Sequence, residues 1–237
     1  MTERIYMEDC YAETVSTQVE AIRAGGIVLS ETVFYPEGGG QPADQGVINV
    51  GGTSIQVTDV SVDHGEILHH VESTDPITEG DDVDARIDWE RRHMLMRMHT
   101  AQHLLSAVVL DMFDAKTVGN QIHPSYSRID FEPVNFSQKD LDRIERRCNA
   151  LIEEERSVSI YEEDRETVVE KLPVGRSNLD LIPDHIDPLR VVEIEGLDIC
   201  PCGGTHVSNL DEIGRFIIED RKSKGEDIDR IEFSLDA

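Results

Sequence analysis

The sequence is poor in basic residues and in cysteine, and each shortage excludes a class of protein. Its 237 residues carry 22 Lys and Arg against 49 Asp and Glu, a formal charge of −27, which excludes partners recruited by overall basic charge. Four cysteines are too few for a disulfide scaffold in a chain of this length. No stretch approaches the ~20 apolar residues that cross a bilayer, and the N-terminus lacks the pattern of a signal peptide. We therefore expect a cytoplasmic protein whose contacts with any nucleic acid are local.

The first third of the chain has the pattern of short β-strands. Apolar runs that favour strands cover 27–29, 32–35, 47–50, 54–57 and 67–71. Gly51-Gly52 and His64-Gly65 are hairpin turn signals. One short helix is predicted over 15–22, before two consecutive glycines. Residues 1–87 are therefore predicted to form an N-terminal β-barrel-like module with a glycine-rich motif.

The pattern changes at Asp88, a candidate helix N-cap. Apolar residues then recur every three or four positions, which predicts a buried helix. A second helix is predicted after Ser137, whose hydroxyl can cap it, and strand-like runs cover 129–131, 158–161, 191–194, 216–219 and 228–233. The predicted fold class is α+β, with a second domain over 88–237 in which a sheet packs on two long helices.

Two histidines and a Cys/His pair suggest a metal site. His99 and His103 lie four residues apart in the predicted helix, so both imidazoles project from one face. Cys202 and His206 flank a Gly-Gly-Thr turn and add a thiolate and an imidazole. A soft nitrogen and sulfur set suits zinc better than magnesium or calcium. Cys200 is a possible substitute for Cys202, and the alternative for the helical pair is two hydrogen-bonded core histidines.

Three other motif interpretations fail on single residues. A zinc protease helix would carry Glu where Thr100 stands. A nucleobase deaminase would carry a second cysteine where Thr205 stands. The glycine run at 38–40 fits a dinucleotide fingerprint, but it continues into Pro42 rather than into an apolar helix.

Several separated motifs resemble one known family. They cover 35–44, 89–105, 128–131, 202–206 and 230–233. In this order they resemble the editing domain of alanyl-tRNA synthetase, whose free-standing form is AlaX, and the length resembles the medium-length type. The chain has no room for an ATP-using aminoacylation domain.

The resemblance implies a function and a metal site. It implies a trans-editing hydrolase that removes serine, and also glycine, from alanine-specific tRNA, without ATP or a membrane. The implied fold is a β-barrel-like module followed by a two-layer α/β editing domain shared with threonyl- and alanyl-tRNA synthetases. One zinc ion per chain would be held by His99, His103, Cys202 and His206.

Substrate contacts are expected from two further sets of residues. The residues expected to act on the ester are Thr100, Thr117 and Gln121. The residues expected to contact tRNA are Gly38, Gly39, Gly40, Gln41, Arg91, Arg92, Lys222 and Lys224. Thr100 can instead serve helix packing, and the glycines can instead form only a tight turn.

Two alternative functions and one environment remain open. The chain can be a non-catalytic zinc-containing module that binds RNA, or a zinc-dependent hydrolase of small esters. The dispersed acidic residues and few lysines are the surface expected of a halophile, because salt screens the repulsion between this protein and tRNA. The sequence leaves the oligomeric state open.

Overall fold

A computed structural model describes residues 2–177, 179 and 182–236 of the chain. The chain divides into two units, Met1–Leu95 and Met96–Ala237. The α+β class is confirmed, and so is the barrel at the N-terminus. The assignment of residues 1–87 and 88–237 to two functional domains stays a prediction. Within the described residues, no helix is both long and apolar enough to cross a membrane.

The first unit is built around a closed six-stranded barrel with the strand order β2-β3-β7-β6-β5-β8. Its elements are β1 (Glu3–Arg4), α1 (Ile5–Glu8), β2 (Thr14–Arg23), β3 (Gly26–Leu29), β4 (Glu31–Thr32), β5 (Gly46–Val50), β6 (Thr53–Asp63), β7 (Glu66–Val71) and β8 (Asp82–Ile87). Apolar residues that alternate along these strands fill the core, and Ile27, Ile48 and Ile67 are fully buried in it.

The prediction of a helix over 15–22 is wrong. These residues lie in β2, which pairs with β3 on one side and with β8 on the other. The buried positions of β2 are Thr17, Val19 and Ala21, a period of two that places one face of the strand inside. Four β-branched residues in the segment also favour a strand.

The turns of the barrel agree with the sequence, but one strand is shorter than predicted. Gly51 and Gly52 have φ angles of 54° and 84°, and they join β5 to β6 in the predicted hairpin. The strand predicted over 32–35 ends at Thr32. The N–H of Phe34 donates to the Thr32 hydroxyl instead, and the N–H of Tyr35 donates to a side chain as well. Side-chain acceptors thus replace a strand partner in this segment.

The later elements form a four-stranded sheet in the order β14-β15-β10-β9 and a three-stranded sheet in the order β11-β12-β13. They are α2 (Trp89–Phe113), β9 (Lys116–Gln121), β10 (Ser127–Glu132), α3 (Gln138–Ile152), β11 (Val158–Glu163), α4 (Arg165–Lys171), β12 (Leu189–Ile194), β13 (Asp198–Pro201), a 3₁₀ turn (Leu210–Ile213), β14 (Arg215–Gly225) and β15 (Ile228–Asp236).

Both predicted helix starts are confirmed. The Asp88 carboxylate accepts a hydrogen bond from the N–H of Arg91 at 3.2 Å, which caps α2. Ser137 and Asp140 form a complete capping box at the start of α3.

Side chains of α3 cover the outer edge of β14. Asn149 accepts a hydrogen bond from the N–H of Phe216 and donates one to its carbonyl, at 2.9 and 2.8 Å. Glu145 accepts a hydrogen bond from the N–H of Ile218 at 2.8 Å. Backbone groups that face outward at this edge are therefore bonded to side chains of the same unit.

Candidate metal centre

Four side chains from a helix and a loop converge on one point in the second unit. His99 and His103 lie on α2, and Cys202 and His206 lie in the loop that follows β13. Their candidate ligand atoms all lie within 4.8 Å of one another. The Cys202 Sγ is 3.5 Å from the His99 Nε2 and 3.4 Å from the His206 Nε2. This cluster can hold one metal ion.

Burial keeps the four side chains uncharged in the absence of a cation. It lowers the pKa of His99 and His206 well below the usual value, and neighbouring imidazoles lower it further. Burial also lowers the pKa of His103 and raises that of the Cys202 thiol to about 12. Neutral imidazoles present lone pairs to a cation, and a bound cation favours the thiolate.

Thr100 orients one of the ligands. Its hydroxyl donates to the Met96 carbonyl at 3.0 Å and accepts the N–H of Val207 at 3.2 Å. The His206 Nδ1 lies 3.1 Å from the same oxygen, and its N–H is the donor because the hydroxyl proton is already used. The other nitrogen, Nε2, therefore carries the lone pair that faces the cluster. Thr100 has no exposed surface and orients the His206 ring, and its expected role at the ester stays a prediction.

Asp198 and Arg176 lie behind another ligand. The Asp198 Oδ2 is 3.5 Å from the His103 Nδ1, a buried nitrogen that has no hydrogen-bond partner among the described residues. Arg176 donates two hydrogen bonds to the same carboxylate, at 2.5 and 2.6 Å. Burial alone would raise the pKa of Asp198, but Arg176 and His103 outweigh it and lower the pKa to about 2. The carboxylate is therefore charged and faces the Nδ1 edge of the His103 ring.

Arg190 of β12 holds the ligand loop. Its Nη1 donates to the carbonyls of Cys202 and Gly204, at 2.7 and 2.8 Å. The N–H of Gly204 in turn lies 3.4 Å from the Cys202 Sγ. Cys200 is outside the group of candidate ligands, and its Sγ faces the Pro201 carbonyl at 3.6 Å. The structure therefore selects Cys202 over Cys200.

The two other residues expected to act on the ester lie on β9. Thr117 donates to the Ser106 hydroxyl at 2.9 Å, and Ser106 is one helical turn beyond His103. Gln121 accepts two hydrogen bonds from Arg128, at 3.0 and 2.6 Å. Both residues are thus anchored to neighbouring elements of the second unit.

The predicted glycine-rich tRNA contact is a tight turn in the first unit. Gly38 and Gln41 exchange two backbone hydrogen bonds, at 3.1 and 2.9 Å. Gly39 and Gly40 lie between them with φ angles of 59° and 87°, a left-handed conformation that favours glycine. The two central glycines are exposed, whereas Gln41 is fully buried.

Arg92, the next residue expected to contact tRNA, is fully buried in the first unit. Its guanidinium pairs with Asp44 and donates to the carbonyls of Cys10 and Val33, at 2.9 and 2.6 Å. Asp44 also accepts the N–H of Tyr35 at 2.7 Å. These bonds saturate the guanidinium and hold the first unit together, and the expected contact of Arg92 with tRNA stays a prediction.

The remaining basic residues are more accessible. Arg91 is partly exposed, and it donates to the Ala43 carbonyl at 3.0 and 3.1 Å. Lys222 and Lys224 lie exposed on β14, and Lys222 pairs with Glu232 at 2.7 Å. Arg91 belongs to the first unit, and Lys222 and Lys224 belong to the second.

Sequence reasoning missed the three residues that support the ligands: Arg176, Arg190 and Asp198. None belongs to a motif with a fixed spacing to the histidines. The one available signal was Asp198, an acidic residue two positions before Cys200 at the start of an apolar strand. A charged residue in such a place needs a partner, and here the partners come from distant segments.

Comparisons with known proteins match two families along the chain. Residues 4–91 match the family described as tRNA synthetases class II (A). Residues 189–232 match the second additional domain of threonyl and alanyl tRNA synthetase. The second match includes Cys202 and His206 and the whole of strands β12, β13 and β14.

Curated relatives extend over nearly the full length. The chain is 37% identical to the alanyl-tRNA editing protein AlaX-M of Methanosarcina barkeri, with 99% of each chain covered. It is 34% identical to the protein of that name from Saccharolobus solfataricus, again with 99% of each covered. It is also 33% identical to the alanine–tRNA ligase of Thermococcus kodakarensis, where 98% of this chain matches 26% of the ligase.

Proposed function

Because the chain belongs to the family of alanyl-tRNA editing proteins of the AlaX-M type, we propose that it hydrolyses the ester of mischarged alanine tRNA. It is an aminoacyl-tRNA deacylase that acts in trans, and serine is the principal amino acid removed, with glycine the second. The observation that carries the proposal is the buried cluster of three histidines and one cysteine in the second unit. The substrate is alanine tRNA that carries the wrong amino acid, and neither ATP nor a membrane takes part.

Zinc is the ion that best fits this cluster. Zn–N bonds of about 2.0–2.1 Å and Zn–S bonds of about 2.3 Å, in tetrahedral geometry, separate nitrogen and sulfur ligands by about 3.5 Å. The Cys202 Sγ lies 3.5 and 3.4 Å from two Nε2 atoms. A single S–H can donate to only one of these nitrogens, so a shared cation satisfies the arrangement better than hydrogen bonding does. His99, His103, Cys202 and His206 would hold one ion per chain.

The main role of the protein residues is to position the ester and the metal ligands, because the aminoacyl ester is itself reactive. A bound zinc ion polarises an ester carbonyl or lowers the pKa of a water. Cys202 is the only partly exposed member of the ligand group, so the ester approaches on its side. Thr100 fixes the orientation of His206, and Arg190 fixes the loop that carries Cys202. An aminoacyl ester is already activated, so hydrolysis depends mainly on placement and on stabilisation of the oxyanion.

Discrimination against correctly charged tRNA requires a polar contact to the serine side chain. A site that hydrogen-bonds a substrate hydroxyl rejects the analogue that lacks it, because its own polar group is then left unpaired. We place this contact on β9, where Thr117 and Gln121 lie. We also propose that the glycine turn at 38–40, which the buried Gln41 closes through its backbone, contributes to tRNA binding together with Arg91, Lys222 and Lys224.

The decisive experiment compares two cysteine variants. Cys202→Ala removes a proposed ligand, whereas Cys200→Ala removes a buried thiol outside the cluster. We expect Cys202→Ala to lose most of its zinc, measured by emission analysis, and to lose at least 100-fold in deacylation of seryl-tRNA(Ala). Cys200→Ala is expected to keep both. Stoichiometric metal in Cys202→Ala would overturn the ligand assignment.

Substrate identity is tested on the unmodified protein. Seryl-tRNA(Ala) is expected to be hydrolysed while alanyl-tRNA(Ala) is largely spared, and a chelator is expected to remove the activity. Equal hydrolysis of the two esters contradicts an editing role and favours a general esterase. If a small seryl ester is cleaved as fast as seryl-tRNA(Ala), the protein is a small-ester hydrolase.

A non-catalytic module remains the second candidate because of the ligand count. Four donors fill the tetrahedral shell of zinc, which is the pattern of structural sites. A protein of this kind would bind alanine tRNA with zinc in place and would leave the ester intact.

A further inference from the structure

The loop between β9 and β10 carries an exposed aromatic stack. The rings of His123 and Tyr126 lie 4.9 Å apart with an interplanar angle of 28°. Tyr126 is 44% exposed and is the only aromatic residue among the exposed large hydrophobic side chains of the described residues. The loop is held by Ile122, which is fully buried, and by a 3.4 Å hydrogen bond from the His123 N–H to the Ser127 hydroxyl. The stack is therefore a fixed π surface that faces solvent.

The segment that carries the stack is also free of acidic residues. No Asp or Glu occurs over 115–129, although the chain has 49 of them in 237 residues. The segment carries two basic residues, Lys116 and Arg128. Two other acid-free stretches, 91–110 and 199–210, supply the proposed metal ligands, and burial explains most of their composition. Burial does not explain 115–129, because most of its residues are exposed or partly exposed.

This segment is tied directly to the metal-binding helix. The Asn120 side chain donates to the Gln102 side chain at 3.1 Å, and Gln102 precedes His103. One turn further along α2, Ser106 accepts a hydrogen bond from Thr117. His123 lies three positions after Asn120, a reach of at most about 10 Å. The stack therefore lies within a short distance of the ligand helix, on the strand that also carries Thr117 and Gln121.

We infer that the His123–Tyr126 stack receives the terminal purine base of the tRNA substrate. The inference rests on the proposed function, because a deacylase acts on an ester at the terminal ribose. The ribose alone then separates the reacting carbonyl from the base, so the base must lie beside the metal centre. Bases stack on exposed aromatic rings without a requirement for hydrogen bonding. The absence of acidic side chains from the segment removes local repulsion of the adjacent phosphates.

The stacking contact is tested by paired substitutions at an exposed position. Tyr126→Ala is expected to raise the KM for seryl-tRNA(Ala) about tenfold with a smaller change in kcat, because stacking contributes to binding. Tyr126→Phe keeps the ring and is expected to keep the KM. If both variants behave alike, the ring is not the recognised feature and the inference fails. Unchanged melting temperatures show that the fold is intact.

A non-hydrolysable probe separates this inference from the proposed function. We would measure binding of seryl-amido-adenosine and of the same amide on a ribose that lacks a base. The unmodified protein is expected to favour the first compound about tenfold, and Tyr126→Ala is expected to bind both equally. Equal discrimination by both proteins would overturn the inference. Loss of the proposed function would instead appear as intact seryl-tRNA(Ala) in the presence of the unmodified protein.

The role of the acid-free segment in tRNA binding is tested by two matched Ser→Asp substitutions. Ser125→Asp places a carboxylate in the exposed part of the acid-free segment, and Ser159→Asp places one on the exposed face of β11. We expect the first to raise the KM at low salt severalfold and the second to have little effect. Equal KM values for the two variants would contradict an approach of the tRNA backbone at this loop.

Discussion

Each unit of this protein buries a group of ionisable side chains, and the two groups differ in how fully they are bonded. In the first unit, every nitrogen of the Arg92 guanidinium donates to Asp44 or to a backbone carbonyl. In the second, the candidate ligand atoms of three histidines and Cys202 lie within 4.8 Å of one another, and the Nε2 atoms of His99 and His206 both face one thiol. Polar groups that satisfy one another hold a fold together. Polar groups that face a common point can instead bind a ligand there.

The largest effect is expected where the saturated group is broken. Asp44→Ala leaves the Arg92 charge buried without its partner and is expected to lower the free energy of unfolding by about 3–5 kcal/mol. Denaturant unfolding measures this change. The control is Glu66→Ala, which removes a solvent-screened partner of Arg23 and is expected to change the free energy of unfolding far less. If the two variants lose the same free energy of unfolding, the buried, fully hydrogen-bonded pair is no more important for stability than the exposed one.

A buried histidine of the barrel makes the first unit sensitive to acid. The His69 Nδ1–H donates to the Ile27 carbonyl at 3.0 Å, and its Nε2 accepts the Thr32 hydroxyl at 2.7 Å. Burial lowers its pKa from 6.5 to about 4. Between pH 6.5 and 4, His69 is therefore protonated in the unfolded chain but neutral in the folded chain. The free energy of unfolding decreases as pH falls through this range. The expected loss is about 3 kcal/mol.

The measurement is the free energy of unfolding against pH, for the unmodified protein and for His69→Gln. The slope between pH 6.5 and 4 is expected to be smaller in the variant, because Gln does not titrate. His64→Gln is the control, since the His64 side chain is 97% exposed. An identical slope in all three proteins would place the acid sensitivity elsewhere.

The unsaturated group is tested through the residue that orients it. Thr100→Val keeps the shape of the side chain but removes the hydroxyl that accepts the His206 N–H. Metal affinity is expected to fall about 10- to 100-fold, as for other residues that hold a ligand in place. Thr117→Val removes a hydroxyl bonded to Ser106 and is expected to leave the affinity unchanged. Competition with a chromogenic chelator measures both, and equal affinities would contradict a positioning role.

The smallest effect concerns the charge of the whole chain. At a net charge of −27, self-repulsion and repulsion of tRNA are strong at low salt, and at about 1 M salt the Debye length falls to ~3 Å. We propose that the protein is adapted to high salt. Melting temperature is expected to rise by several degrees, and deacylation to increase, from millimolar to molar KCl. Highest stability and activity below ~0.1 M would contradict this.

The sequence predicted the elements whose information is local. The capping box at Ser137 and the helix that carries His99 and His103 depend on neighbours three or four positions away, and both are present. The hairpin turns at Gly51 and Gly65 depend on backbone conformation at one or two residues. The segment at 15–22 was misassigned because its apolar residues fit a helical period and an alternating one equally well. Pairing with β3 and β8 decides between them, and pairing is not local.

The candidate site also combines residues that local sequence patterns reveal with residues that they do not. The spacing of four between His99 and His103, and between Cys202 and His206, is visible in the sequence. The contacts of Asp198 with Arg176 and His103 join residues that lie 22 and 95 positions apart in the sequence. No spacing rule connects such residues, so the support of the ligands becomes visible only in the folded chain.

The covered edge of β14 bears on how this protein stays dispersed. High salt screens the like charges that keep acidic proteins apart, and an open strand edge would then be free to recruit another chain. Asn149 and Glu145 occupy the N–H groups of Phe216 and Ile218, so this edge has no vacant donor at those positions. Hydrogen bonds within the molecule therefore protect this strand edge from pairing with another chain. Salt weakens these bonds far less than it weakens the repulsion between molecules.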